Sequence, residues 1–117
     1  MEVARKILEF LDEPEFCQRF RKFNDCRTWV ATLSRKKAIN DANLKSIQSK
    51  STSDDANDCL LTLIKSDPSI EKLEVLSEAL KEDDTHSNQL ALAKMIDQFL
   101  VSMAKGKLYS YCLSIML

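Results

Sequence analysis

A single glycine, Gly106, occurs among the 117 residues of this chain. Glycine adopts positive backbone φ angles more readily than any other residue, and hairpin turns, β-bulges and phosphate-binding loops depend on such angles. The scarcity of glycine therefore argues against a β-sandwich, a dinucleotide-binding fold and a P-loop enzyme. It favours an all-α fold, and the length suits one domain.

The spacing of apolar residues predicts six helices, of which the first covers 3–23 and is kinked or broken near Pro14. Proline suits the first turn of a helix, so Pro14 is expected to start the second piece. The second helix is expected to end near Lys36. The fourth follows a polar stretch and has Asp54 and Asp55 in its first turn. The expected N-caps are Asn24 or Asp25 for the second helix, Asn40 or Asp41 for the third, Asp67 for the fifth, with Pro68 next to it, and Ser87 for the sixth.

The C-terminal residues 108–117 are mostly apolar and differ from the amphipathic segments before them. We expect the sixth helix to end at Gly106, because glycine is the preferred residue just beyond a helix C-terminus. The sequence thus predicts a helical bundle over 1–105. Residues 106–117 are expected to form an apolar extension, either an extra helix or the start of a following domain of a longer protein.

The net charge of −1 conceals an uneven distribution along the chain. Residues 1–50 carry a net charge of +4, residues 51–100 carry −7, and residues 101–117 carry +2. A domain with a basic and an acidic pole can attract a second copy of itself or a complementary relative. We therefore expect charge-directed association with another protein.

The four cysteines contain no CxxC pair, and the only histidine is His86. This spacing does not provide the paired ligands of a zinc site, so no metal, other cofactor or catalytic residue is predicted. Free cysteines at apolar positions are typical of reduced intracellular proteins, so a cytoplasmic location is expected. The N-terminus lacks the apolar run of a signal peptide, and no stretch is long enough to cross a membrane.

Three segments together resemble the caspase recruitment domain (CARD) of the death-fold superfamily. Residues 33–47 are similar to the end of the second CARD helix and the start of the third. Residues 53–84 are similar to the fourth and fifth helices, with Ala79-Leu80 near the end of the fifth, and residues 90–96 are similar to the sixth. The resemblance implies a six-helix, death-fold-like bundle with a kinked first helix. It also implies homotypic association without catalysis, for instance at the N-terminus of a RIG-I-like or Dicer-related helicase.

The sequence departs from the CARD pattern in its glycines and in its charges. The glycines that often flank the fifth CARD helix are absent. CARDs usually set a basic first and fourth helix against an acidic second and third, whereas here the signs are exchanged. The candidate basic face consists of Arg27, Arg35, Lys36, Lys37 and Lys45, and the candidate acidic face consists of Asp54, Asp55, Asp58, Glu71, Glu74 and Glu78.

Three functions remain open at the level of sequence. The first is a non-enzymatic interaction module that binds another CARD or death-fold protein, or itself as an oligomer, in signalling such as innate immunity or apoptosis. The second is a nucleic-acid-binding domain that uses the basic half, with Trp29 stacked on a base. The third is a helical scaffold. Helical spacing favours a buried, structural Trp29, and an isoelectric point near 5.8 argues against nucleic-acid binding.

Overall fold

The computed structural model describes the backbone of residues 2–22, 24–82 and 87–116, and the side chains of residues 2–22, 24–82 and 89–104. Every regular element in this part of the chain is helical, which confirms the all-α prediction. The α-helices are α1 (Glu2–Leu11), α2 (Pro14–Lys22), α3 (Ala31–Arg35), α4 (Asp41–Gln48), α5 (Ser53–Ser66), α6 (Ile70–Glu82) and α7 (Ser87–Met116), with a 3₁₀ turn at Cys26–Thr28 between α2 and α3.

The predicted first helix is broken where the sequence indicates. Leu11 ends α1, and Pro14 is the first residue of α2. The missing N–H of proline costs nothing at that position, because the first N–H groups of a helix have no intrahelical partner. The break is compact, because Glu13 N–H donates to the Phe10 carbonyl and the Cys17 thiol donates to the Leu11 carbonyl.

The prediction of one continuous second helix is wrong. The chain forms a 3₁₀ turn at Cys26–Thr28, which Asp25 caps by accepting from Arg27 N–H, and α3 starts only at Ala31. The reason is a buried side chain on α5. Asn57 accepts from Cys26 N–H at 3.0 Å and donates to the Asn24 carbonyl at 2.7 Å, and these bonds hold the backbone in a bend.

The turn after α3 is a Schellman motif with an unusual residue at its centre. Ala38 N–H donates to the Leu33 carbonyl at 2.8 Å, and Lys37 N–H donates to the Ser34 carbonyl at 3.0 Å. Lys37 has φ of 63°, in the left-handed region where glycine is preferred. A residue with a Cβ atom costs about 1–2 kcal/mol there.

Two of the predicted helix starts are confirmed in detail. Asn40 caps α4 by accepting from Asn43 N–H. Thr52 caps α5 by accepting from Asp55 N–H, so Asp54 and Asp55 lie in the first turn. Carboxylates at that end interact favourably with the helix dipole.

The predicted start of the fifth helix is wrong. Asp67 is the C-cap of α5, and α6 begins at Ile70, two residues after Pro68. The Asp67 carbonyl and carboxylate both accept from the Lys72 ammonium, so this residue closes the turn instead of capping α6. The Ser69 hydroxyl accepts from Lys72 N–H in its place.

The last helix is longer than predicted. Its backbone is helical without interruption from Ser87 to Met116, so Gly106 lies inside α7 and Ser87 is its first residue. The polar sequence also predicts a loop at 83–87 before this helix; Ser87 is helical, and residues 83–86 lie outside the described residues. Thirty helical residues extend for about 45 Å. The resulting radius of gyration is 15.2 Å, above the about 13 Å of a compact domain of this size. The predicted boundary between 1–105 and 106–117 stays a prediction.

One apolar core joins the helices. Aromatic contacts link several helices in it: Phe10 packs on Phe16 and stacks on Phe99, and Phe20 meets Trp29 edge to face. Buried leucines and isoleucines of α5, α6 and α7 belong to the same core. Asp97 of α7 also accepts hydrogen bonds from Ser77 and Lys81 of α6, which fixes these two helices side by side.

Candidate interaction surface

The contact between α3 and α6 brings predicted basic and acidic residues together. Lys36 pairs with Glu78, and the Arg35 guanidinium lies 3.3 Å from the Glu82 carboxylate. Buried Thr32 donates to the same Glu82 carboxylate at 2.5 Å. These basic and acidic residues therefore lie side by side in ion pairs instead of at two separate poles, and their assignment to partner-binding faces stays a prediction.

Arg27 has a structural role in the bend between α2 and α3. Its guanidinium donates twice to the Asp25 carboxylate and once to the Lys50 carbonyl, which ties the 3₁₀ turn to the end of α4. The hydrogen bond from Arg27 is the main reason that the pKa of Asp25 is lowered, and the same bond raises the pKa of Arg27. Three hydrogen bonds of the Arg27 guanidinium are therefore made within the chain.

Asp58 is also held within the chain. Its carboxylate lies 2.6 Å from the Arg21 guanidinium, and this ion pair connects α5 to α2. Arg21 belongs to the first basic stretch but was not among the predicted face residues. Its position on α2 opposite α5 explains why the two charges meet.

The other predicted residues are exposed and form no ion pair within the part of the chain that the structure describes. We call them the unpaired charges. They are basic Lys37 and Lys45, and acidic Asp54, Asp55, Glu71 and Glu74.

The unpaired charges of α6 continue the row that contacts α3. Glu71, Glu74, Glu78 and Glu82 recur three or four residues apart and therefore share one side of the helix. The C-terminal two pair with Lys36 and Arg35 at the end of α3, whereas the N-terminal two form no ion pair among the described residues. Lys37 directly follows Lys36, the partner of Glu78, and Glu74 lies one helical turn before Glu78. A basic and an acidic group therefore flank one intramolecular ion pair.

Glu82 was missed at the level of sequence, although it accepts from both Thr32 and Arg35. The available signal was its position four residues after Glu78, which continues the same acidic row. The sequence offered no signal that α3 would pack against that end of α6.

Trp29 is not available for base stacking. It is 4% exposed, and its indole N–H donates to the Asn24 side-chain oxygen at 2.9 Å. Its ring also packs edge to face on Phe20. The structural alternative considered for this residue is therefore confirmed.

Cys26 is not activated as a nucleophile. Cys26 is fully buried, and burial, assisted by nearby Asp25 and Cys59, raises the pKa of its thiol to about 12. His86 lies outside the described residues. Among the side chains that the structure describes, no group of three potential metal ligands comes together. No helix in the searched part of the chain is both long and apolar enough to cross a membrane.

Comparison with known proteins gives no match: no family model, no curated protein and no solved structure is significantly similar to this chain.

Proposed function

We propose that this chain is a non-catalytic protein interaction module that associates with a second copy of itself, or with a related helical domain, through opposite charges. The single observation behind the proposal is the set of unpaired charges. Lys37 and Lys45 offer ammonium groups, and Glu71 and Glu74 offer carboxylates, without competing ion pairs among the described residues. The resemblance to the CARD family, whose members associate homotypically, points in the same direction.

The contact of α3 with α6 supplies a template for such association. Within the chain, basic side chains at the end of α3 already pair with carboxylates one helical turn apart on α6. The exposed half of the same acidic row presents carboxylates at similar spacing. Charges at the rim of an interface mainly accelerate the encounter and select the partner, so we expect association that is fast and sensitive to salt.

The biological setting proposed with this function is cytoplasmic signalling, for example innate immunity or apoptosis. In that setting the module would recruit another CARD or death-fold protein, and catalytic domains would reside elsewhere. A helicase-linked role follows from the same resemblance. The nucleic-acid alternative gains no support from the structure, because Trp29 is buried in the core.

Charge complementation between two variants of the chain tests the proposal. The Lys37→Glu/Lys45→Glu variant loses the basic side, and the Glu71→Lys/Glu74→Lys variant loses the acidic side. Each alone is expected to self-associate more weakly than the wild type in sedimentation-velocity runs. An equal mixture of the two is expected to regain association, because each variant keeps the side that the other has lost.

The matched control is Lys6→Glu/Lys94→Glu, which changes the net charge by the same amount at two other exposed lysines. It is expected to associate like the wild type. A wild-type chain that remains monomeric up to about 1 mM, which corresponds to less than about 4 kcal/mol of association free energy, would contradict the proposal. The proposal would also be contradicted if the control variant self-associated as weakly as Lys37→Glu/Lys45→Glu.

A further inference from the structure

The Schellman turn at the end of α3 is held in one conformation by the core. Leu33 and Ile39, on either side of the turn, are 2% and 8% exposed. Both Ala38 N–H and Ile39 N–H donate to the Leu33 carbonyl. The backbone that carries the exposed Lys37 is thus fixed before any partner arrives, and such preorganisation lowers the entropic cost of binding.

Among the described residues, Lys37 is the single non-glycine residue with a positive φ. Glycine at the same position would keep both hydrogen bonds of the turn and remove the steric conflict of the Cβ atom. The ammonium of Lys37 forms no ion pair among the described residues, so the charge of this side chain makes no described contribution to holding the turn. Strained backbone of this kind concentrates at functional sites, because function can maintain what stability alone would not.

We infer that Lys37 is the specificity-determining residue of the charged surface, and that it binds a pair of carboxylates spaced one helical turn apart on a second copy of the chain. This inference rests on the proposed function. The partner chemistry follows from the neighbouring pairs, because Lys36 and Arg35 bind Glu78 and Glu82, which have that spacing on α6. Glu71 and Glu74 of the second copy extend the same row and are exposed.

The test separates the backbone of residue 37 from its charge. Lys37→Gly relieves the positive φ and removes the ammonium, Lys37→Arg keeps a cation, and Lys45→Ala removes another exposed charge at a residue without a positive φ. Urea unfolding reports stability, and sedimentation equilibrium reports the Kd of self-association. We expect Lys37→Gly to have a higher urea midpoint than the wild type and a Kd about 3- to 10-fold weaker.

Lys37→Arg is expected to keep the urea midpoint of the wild type and a Kd of self-association within about 2-fold of it. Lys45→Ala is expected to give no gain in urea midpoint. If Lys37→Gly self-associates as tightly as the wild type while Lys37→Glu/Lys45→Glu is impaired, the role of Lys37 is refuted and the proposed function stands. If the wild type itself does not associate, both are refuted.

Discussion

Replacement of Asn57 by leucine tests the central claim about the fold, namely that one buried amide sets the bend before α3. Asn57 is fully buried and bonds to four backbone groups within 20–26: its amide nitrogen donates to the carbonyls of Phe20, Arg21 and Asn24, and its oxygen accepts from Cys26 N–H. Leucine has a similar volume but can form none of these bonds.

The magnitude follows from the groups that would be left without a partner. A buried polar group that loses its hydrogen bond costs about 1–3 kcal/mol, and Cys26 N–H and the Asn24 carbonyl are two such groups. Burial of the leucine side chain recovers part of this loss. We therefore expect Asn57→Leu to lower the free energy of unfolding by about 3 kcal/mol, a large fraction of the about 5–15 kcal/mol of a typical domain.

Urea denaturation followed by circular dichroism measures this change, and the linear slope shows whether the transition stays two-state. The control is Asn43→Leu on α4, where the half-buried side chain forms no hydrogen bond to the described residues. That change is expected to cost less than about 0.5 kcal/mol. A loss below about 1 kcal/mol for Asn57→Leu would refute the reasoning, because the bend would then be set by other contacts.

Two further outcomes follow from a helix cap and a titrating carboxylate. Thr52→Ala removes the side-chain acceptor for Asp55 N–H and is expected to cost about 1 kcal/mol in thermal unfolding, whereas Thr52→Ser is expected to cost much less. Burial opposes ionisation of Asp97, but hydrogen bonds from Lys81 and Ser77 outweigh it and lower its pKa. The carboxylate therefore stabilises the fold above the unfolded-state pKa of about 4, and this contribution disappears as the pH falls through the lowered pKa. The difference in unfolding free energy between the wild type and Asp97→Asn should be present at pH 7 and vanish toward pH 2; a difference that does not depend on pH would contradict this assignment.

The features that could be predicted from the sequence are those controlled by neighbouring residues. Asn40 caps α4 because its own side chain reaches an N–H three residues later, and Pro14 starts α2 because its ring suits a first helical turn. The helical spacing of Ala56, Leu60 and Ile64 likewise predicts that these residues share the buried face of α5. Each of these depends on residues within one or two turns, so a local pattern contains all the necessary information.

Features that depend on distant residues could not be predicted in this way. Asn57 lies within an apolar stripe, and its partners are more than thirty positions earlier in the chain. The pairing of Lys36 with Glu78 depends on how α3 packs against α6, which no local spacing encodes. The prediction that the last helix ends at Gly106 was wrong, because glycine inside a helix costs only about 1 kcal/mol. A helix of thirty residues can form in spite of that cost.

The candidate surface also combines a part that could be predicted from the sequence with a part that depends on the fold. The two charged clusters could be recognised from composition along the chain, because net charge is a property of sequence. Which members remain unpaired could not be predicted, since the fold supplies ion-pair partners for Arg27, Arg35, Lys36, Asp58 and Glu78. The structure thus reduces eleven candidate residues to six with unpaired charges.

The stacked rings of Phe10 and Phe99 join the first helix to the last, with ring centroids 4.5 Å apart. A contact between such distant residues can form only after the intervening chain has largely ordered, because closure of a long loop is entropically costly. α1 is otherwise stabilised on its surface by local ion pairs, which contribute little. α1 also buries Ile7 and Leu11 in the core, so its docking, expected late in folding, covers apolar surface that its detachment would expose again.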